Sequence, residues 1–313
     1  MRKKDEKNGI EAVFPYLKEE WREMIKRMPK ELLKNGSELR FRVGGSCSVT
    51  CGNGNYIVDE IDPCSKELNE VVEKICGGSL YQYEAQIENG YIPLPGGHRV
   101  GLGGTYVKDL NGVVRLRDIA SVNFRICREI SGNAEKLFPK LLCDGTFCST
   151  MIVSEPCGGK TTLLSDLVRV LSNNGYRTVV IDERSEIAAS YNGMPQKDLG
   201  QLTDVLNGYP KPYGMMVALR TLSPQVLVCD EIGTEEETER MLEAMNAGVP
   251  VLVSAHAKDE EELFNRPQIM RLMEYGALSK VVFLKGASCP GKVRKVITVN
   301  RYDDEDFWCS DDC

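Results

Sequence analysis

The stretch Met151-Ile-Val-Ser-Glu-Pro-Cys-Gly-Gly-Lys160-Thr161-Thr162-Leu163-Leu164 decides the reading of this chain: an apolar run enters a short turn ending Gly-Lys-Thr and leaves it on a helical pattern. A loop that holds phosphate needs backbone N–H groups turned inward, a lysine to neutralise charge and a hydroxyl for Mg²⁺. The run Ser154, Glu155, Pro156, Cys157, Gly158, Gly159, Lys160, Thr161 and Thr162 has the form of such a loop, with Lys160 for phosphate and Thr161 for the metal. The pattern G-x-x-x-x-G-K-[ST] would put its first glycine at 154, where Ser154 stands. Serine fits that corner only if the backbone there does not need positive φ.

The flanks support the loop. Thr150 to Val153 are β-branched or apolar and predict a buried strand, while Leu163, Leu164, Leu167, Val168 and Leu171 fall at helical spacing up to Asn173-Asn174-Gly175. Further on, Gln225-Val-Leu-Val-Cys-Asp230-Glu231 is an apolar run ending in two carboxylates. A buried parallel strand of this kind delivers Asp230 to the sheet end where the loop holds phosphate, so its carboxylate enters the Mg²⁺ shell. Glu231, next in line, is placed to polarise an attacking water.

Two more strand ends open on the same crevice of a parallel sheet. Val179-Val-Ile-Asp182-Glu183-Arg-Ser-Glu186 offers Glu183 or Glu186 to the water or the metal, and Val251-Leu-Val-Ser254-Ala-His256 offers a hydroxyl and an imidazole that could sense a γ-phosphate. An arginine commonly completes such a site. Arg184, Arg220, Arg240 and Arg266 are candidates that spacing does not separate.

At 313 residues the chain has length for two domains. A net charge of −7 gives no global attraction to nucleic acid or anionic membrane, and no basic-aromatic stripe is evident, so no nucleic-acid partner is expected. No apolar run approaches twenty residues and the N-terminus is polar, which predicts neither a membrane span nor a secretory leader. The 12 cysteines are then expected as free thiols in a reducing compartment. None is spaced C-x-x-C and only two histidines exist, so no zinc site is expected.

Up to about residue 130 the chain mixes helix and short strands. Helical spacing runs from Phe14 to Leu33, strand character from Glu38 to Val43 and on to Val58, and further helices are expected over Leu68–Ile75 and Ser79–Asn89 before a turn-rich hairpin segment. From there strands near 150–153, 178–182, 226–229, 250–254 and 280–284 alternate with helical patterns, which predicts a parallel sheet covered on both faces. Ser131-Gly-Asn is expected to cap a helix from Ala134 to Leu142, Val293–Val299 to form an antiparallel edge, and Asp303-Asp-Glu-Asp with Asp311-Asp312 to be a solvated acidic tail.

These residues together resemble the stage III sporulation protein AA family, relatives of the type II and type IV secretion ATPases. The matching text covers most of the chain and includes Glu38-Leu-Arg-Phe-Arg-Val-Gly44, the segment Asn89-Gly-Tyr-Ile-Pro-Leu-Pro-Gly-Gly-His98-Arg99, Ile181-Asp-Glu-Arg-Ser-Glu-Ile-Ala188, Thr203-Asp-Val-Leu-Asn-Gly-Tyr-Pro-Lys211, Asp230-Glu-Ile-Gly233 and Ala255-His256. The resemblance implies an α/β chain: a RecA-like P-loop NTPase domain over 131–313, with a smaller N-terminal α+β domain over 1–130 for oligomer or partner contacts. It implies a cytoplasmic ATPase of the mother cell, held at the membrane by its partners. Such a protein powers or assembles a sporulation channel complex facing the forespore and works as a homo-oligomer, a hexameric ring.

ATP would lie with Lys160 on its β- and γ-phosphates, and Mg²⁺ with Thr161 and Asp230. Glu231 comes first and Glu183 second for orienting water; Asp182-Glu183 would match the acidic box of secretion ATPases and His256 their histidine box. Two positions depart from the family pattern: Ser154, and Leu202 where the family carries an arginine. The competing expectations are an ATP-gated scaffold with little hydrolysis and a nucleic-acid-dependent RecA-like motor.

Overall fold

The computed structural model describes residues 9–52, 54–78, 83, 86–87, 90–108, 114–128, 132–299 and 308–311. The chain forms two compact units, residues 1–128 and 129–313.

In the first unit the strands β1 (Glu38–Arg42), β2 (Gly45–Cys51), β3 (Gly54–Val58), β4 (Tyr91–Pro93), β5 (Arg99–Lys108) and β6 (Val114–Arg125) make an antiparallel sheet in the order β3-β2-β1-β6-β5-β4. Alternation sends Leu39, Phe41, Cys47, Val49, Val122 and Phe124 to one core, shared with Val13, Trp21, Ile25, Leu68 and Val72. Trp21 stacks on Phe41 with ring centroids 4.8 Å apart.

The helical spacing over 14–33 does not become one helix. It splits into a 3₁₀ segment Ile10–Tyr16, α1 (Glu19–Lys26) and α2 (Lys30–Asn35). Pro29, lacking an N–H and excluding helical geometry at the residue before it, ends one turn and starts the next from φ −53° and ψ 134°. Pro15 sits inside the 3₁₀ segment, and Leu17 leaves it extended. α3 (Ser65–Ile75) includes the expected Leu68–Ile75. The helix expected over 79–89 falls mostly outside the described residues.

The second unit opens with a helical turn, α4 (Ala134–Leu137), which passes into 3₁₀ geometry at Phe138–Leu141 because Pro139 cannot extend an α-helix. Its start is capped from elsewhere: Asp166 Oδ2 accepts from the N–H of Gly132 and Ala134 at 2.9 and 3.0 Å, while Asn133 makes no capping bond. A hairpin, β7 (Leu142–Cys143) with β8 (Thr146–Phe147), leads to β9 (Thr150–Ser154), the strand that enters the loop.

The elements that follow are α5 (Lys160–Asn173), β10 (Thr178–Asp182), β11 (Thr203–Asn207), α6 (Lys211–Thr221), β12 (Val226–Cys229), α7 (Glu235–Asn246), β13 (Val251–His256), α8 (Glu260–Phe264), α9 (Pro267–Glu274), β14 (Lys280–Leu284), β15 (Val293–Val299) and β16 (Trp308–Asp311). The sheet order is β11-β10-β12-β13-β9-β14-β15-β16, parallel through β14 and antiparallel beyond.

Met151, Val153, Ile181, Cys229 and Val253 face Met215, Met241 and Ile269, whereas Ile152, Val180, Val228 and Leu252 face the α5 leucines. Burial on both faces is why these strands read as unbroken apolar runs. Two expectations are corrected. β11, half-exposed and carrying Asp204 and Asn207, lacks that apolar signature and extends the sheet beyond β10. β15 is antiparallel but is not the edge, because β16 pairs along it and draws Asp311 into a strand; residues 303–306 and 312 of the expected tail lie outside the described residues.

Candidate functional site

β9 lies between β13 and β14, and β13 separates it from β12, so the C-terminal ends of β9, β13, β12 and β10 share one rim of the sheet. A crevice of about 1030 Å³ opens there, lined by residues 156–162 of the loop together with Glu183, Arg184, Lys211, Asp230, Glu231 and His256.

The loop's shape explains both its glycines and its serine. Positive φ occurs at Cys157 (62°) and Gly159 (88°), and Ser154 is not among the positive-φ residues, so serine there carries no backbone strain. The Ser154 side chain fills the space that a side chain at 158 would need: a Cβ on Gly158 would stand 1.8 Å from Ser154 Oγ. A Cβ on Gly159 would stand 2.4 Å from the backbone nitrogen of Gly291, whose N–H donates to Gly158 O at 2.8 Å. With both positions bare, the backbone turns tightly into α5, whose first N–H groups have no intrahelical acceptor and are available to an anion.

Lys160 is buried beneath this turn. Its ammonium donates to Ser154 O at 2.9 Å and Glu155 O at 3.3 Å, and it meets His256 Nδ1 at 2.6 Å. Ser154 and Glu155 therefore serve the lysine through their carbonyls and do not line the crevice. Burial holds the Lys160 pKa below its usual value against the opposing fields of Glu231, Asp230 and Cys157. It forms no carboxylate ion pair among the described residues, which leaves a desolvated cation facing an open crevice.

Register places His256 here, since it lies directly beside Ser154 on the neighbouring strand. A charged lysine has only donors, so His256 Nδ1 accepts and Nε2 carries the proton. That Nε2 is 3.4 Å from Glu231 Oε2, which strings Lys160, His256 and Glu231 into one chain of polar contacts. Ser254, expected alongside His256 as a phosphate sensor, is fully buried instead and donates to Asp230 Oδ1 at 2.7 Å. Its hydroxyl orients the carboxylate; Ser254 and His256, two residues apart, share one face of β13, and their different positions along the strand give them different partners.

Asp182 shapes the next strand end. Its carboxylate accepts from the N–H groups of Glu186, Ile187 and Ala188 at 2.8, 3.1 and 2.8 Å. Burial raises its pKa, and those three donors oppose the rise. Asp182 is thus the clamp of a loop that presents Glu183, Arg184 and Glu186 to the crevice. Lys197 steadies the same loop by donating to Glu186 O at 2.7 Å.

The sequence-predicted residues Lys160, Thr161, Thr162, Glu183, Asp230, Glu231 and His256 converge on this one crevice. Of the four arginines only Arg184 lines it; Arg240 and Arg266 pair with Glu243 and Glu262 on helix surfaces, and Arg220 is exposed at the far turn of α6. Leu202, exposed, precedes β11 at the opposite end of the sheet, with Thr203 beside Thr178. An arginine at 202 would lie a strand's length from the phosphate loop of its own chain. Lys211 is the crevice cation that sequence reading missed. Recognising Thr203–Asn207 as a parallel strand would have found it, since the turn after that strand must open on the same rim. Among the described residues no cluster of His, Cys, Asp and Glu could hold a metal by itself. Thr161 and Asp230 fit a Mg²⁺ shared with substrate oxygens, the manner in which that ion is usually held.

The fold of the second unit is a P-loop NTPase fold of the kind found in secretion ATPases. The chain is similar to the Legionella pneumophila ATPase DotB (TM-score 0.58, 15% identity, covering 84% of this chain and 75% of that one) and to the pilus retraction motor PilT with bound ADP (TM-score 0.56, 14% identity, covering 81% and 76%). It belongs to the family described as sporulation stage III, protein AA, whose profile matches residues 5–302. The stage III sporulation protein AA of Bacillus subtilis (strain 168) is 37% identical over 295 residues, 92% of this chain and 94% of that protein. Among the described residues no helix is long and apolar enough to cross a membrane.

Proposed function

We propose that the chain binds Mg²⁺·ATP in this crevice and hydrolyses it, and that turnover drives or assembles a membrane-associated complex of sporulation. The observation that carries the reading is convergence: a phosphate loop with a desolvated Lys160, Asp230 held by Ser254, and Glu231 beside His256 all face one opening. Lys160 exchanges its loop carbonyls and His256 for the β- and γ-phosphates, and the N–H groups at the start of α5 bind the phosphate oxygens. Thr161 and Asp230 hold Mg²⁺, which neutralises charge on those oxygens. Glu231 orients the attacking water, with Glu183 across the crevice as the second carboxylate. When Lys160 leaves His256 for phosphate, the imidazole is free to report phosphate loss through β13.

Family membership supports placing this activity in a homo-oligomer, a hexameric ring, with membrane proteins of a sporulation channel as partners and the mother-cell cytoplasm as its compartment. The first unit, residues 1–128, is proposed to make the oligomer or partner contacts. The test is phosphate release from ATP by the purified protein and its Glu231→Gln variant. Release that falls at least about tenfold in the variant, with ATP still bound, is expected. Binding without Glu231-dependent release would leave an ATP-gated scaffold in place of a motor.

A further inference from the structure

Lys211 starts α6 just beyond β11, and its side chain is 14% exposed where it reaches the crevice. The ammonium donates to the backbone carbonyl of Glu231 and forms an ion pair with Glu237 Oε1 at 3.1 Å. Glu237, on α7, is itself committed: its Oε2 accepts from the N–H groups of Gly233 and Thr234 at 2.8 and 2.9 Å. Between these, Ile232 N–H donates to Ser254 O at 3.1 Å. Residues 231 to 234 are therefore fastened one after another, and Lys211 supplies the bond at the residue whose carboxylate faces the crevice.

We propose that Lys211 is the positioning residue for Glu231, fixing its backbone through the carbonyl and through Glu237 so that the carboxylate is held at the γ-phosphate end of the site. The inference rests on the hydrolysis reading above. Removing the ammonium leaves the Glu231 carbonyl without this donor and Glu237 buried without its counter-charge, and both changes release the same turn. Burial would raise the Glu237 carboxyl, yet the Gly233 and Thr234 N–H groups and Lys211 keep it below the usual carboxylate range, consistent with a fully charged pair. Arginine can supply donors to both oxygens but not from a single compact ammonium, so it substitutes in part.

The experiment compares wild type, Lys211→Met, Lys211→Arg, Glu237→Gln and the double variant Lys211→Met/Glu237→Gln. It reads kcat, KM for ATP, and amide hydrogen exchange across residues 229–236. Lys211→Met is expected to lower kcat at least about tenfold with KM within about threefold, and to speed exchange in that segment while leaving 160–173 unchanged. Lys211→Arg should recover most of the loss, and the double variant should be no slower than Lys211→Met, as expected of two groups acting as one unit. If Lys211→Met fails to fold, Lys211→Arg and Glu237→Gln decide through the same readouts. Unchanged kcat in the variants of an active protein, or a loss confined to KM, overturns this inference alone. A wild type that releases no phosphate overturns the hydrolysis reading and this inference with it.

Discussion

Gly158→Ala tests the explanation of the loop's serine. The new methyl would stand 1.8 Å from Ser154 Oγ, 2.9 Å from Ser154 Cβ and 3.1 Å from Glu155 O. Atoms at ordinary contact lie about 3.5–4.0 Å apart, so the first two are collisions and the third is tight. Gly158 is not among the positive-φ residues, so alanine adds no backbone strain and the penalty is steric, about 1–3 kcal/mol for overpacking of this kind. Ser154→Gly removes both colliding atoms. Alone it is close to neutral, because discarding a buried hydroxyl with no partner gains about 1 kcal/mol and a new glycine costs about 0.5–1 kcal/mol.

The two substitutions should therefore couple by about 1–2 kcal/mol. At roughly 2–4 °C per kcal/mol for a unit of this size, Gly158→Ala lowers the melting temperature by about 2–12 °C, and adding Ser154→Gly restores at least half of that. Scanning calorimetry of the four nucleotide-free proteins measures the cycle. Equal losses from Gly158→Ala with and without the Ser154→Gly substitution would refute the steric account.

Three further outcomes follow from the geometry. Burial depresses the folded pKa of Lys160 below 10.5, so the cost of its charge is fully present below that lowered value and fades as pH rises toward 10.5; nucleotide-free Lys160→Met should melt above wild type at neutral pH, with a gap that narrows on titration upward, and a gap that widens contradicts the sign. Ser254→Ala removes a bond to the Asp230 carboxylate worth about 1.5–3 kcal/mol, and should raise the Mg²⁺ concentration for half-maximal phosphate release by about tenfold or more. Leu202→Arg, at the opposite end of the sheet, should leave ATP affinity within about twofold by equilibrium titration; a large gain would place residue 202 at the nucleotide.

The parts of the fold legible in the sequence are those where burial is uniform. β9, β10, β12, β13 and β14 are covered on both faces and announce themselves as apolar runs, and the turns that end them carry the chemistry. β11 escaped because an edge strand with Asp204 and Asn207 has no such run, and Lys211 escaped with it. The breaks in the helical pattern over 14–33 fall at Pro15 and Pro29, which apolar spacing alone does not register.

At the site, residue types and strand ends could be read from sequence, whereas pairing could not. Nothing in Ser254-Ala-His256 says that the hydroxyl turns to Asp230 and the imidazole to Lys160; the two share a face of β13, and the register against the neighbouring strands decides which partner each meets. Likewise Asp182 and Glu183 look equivalent in sequence, yet three backbone donors engage the buried Asp182 carboxylate, whereas Glu183 is exposed at the crevice.

The most direct test of the account is calorimetric titration of Mg²⁺·ATP into wild type and Lys160→Met. The account predicts saturable, Mg²⁺-dependent binding at one site per chain, weakened at least about tenfold in the variant. Absence of binding to the wild type, or equal affinity in the two proteins, would contradict it.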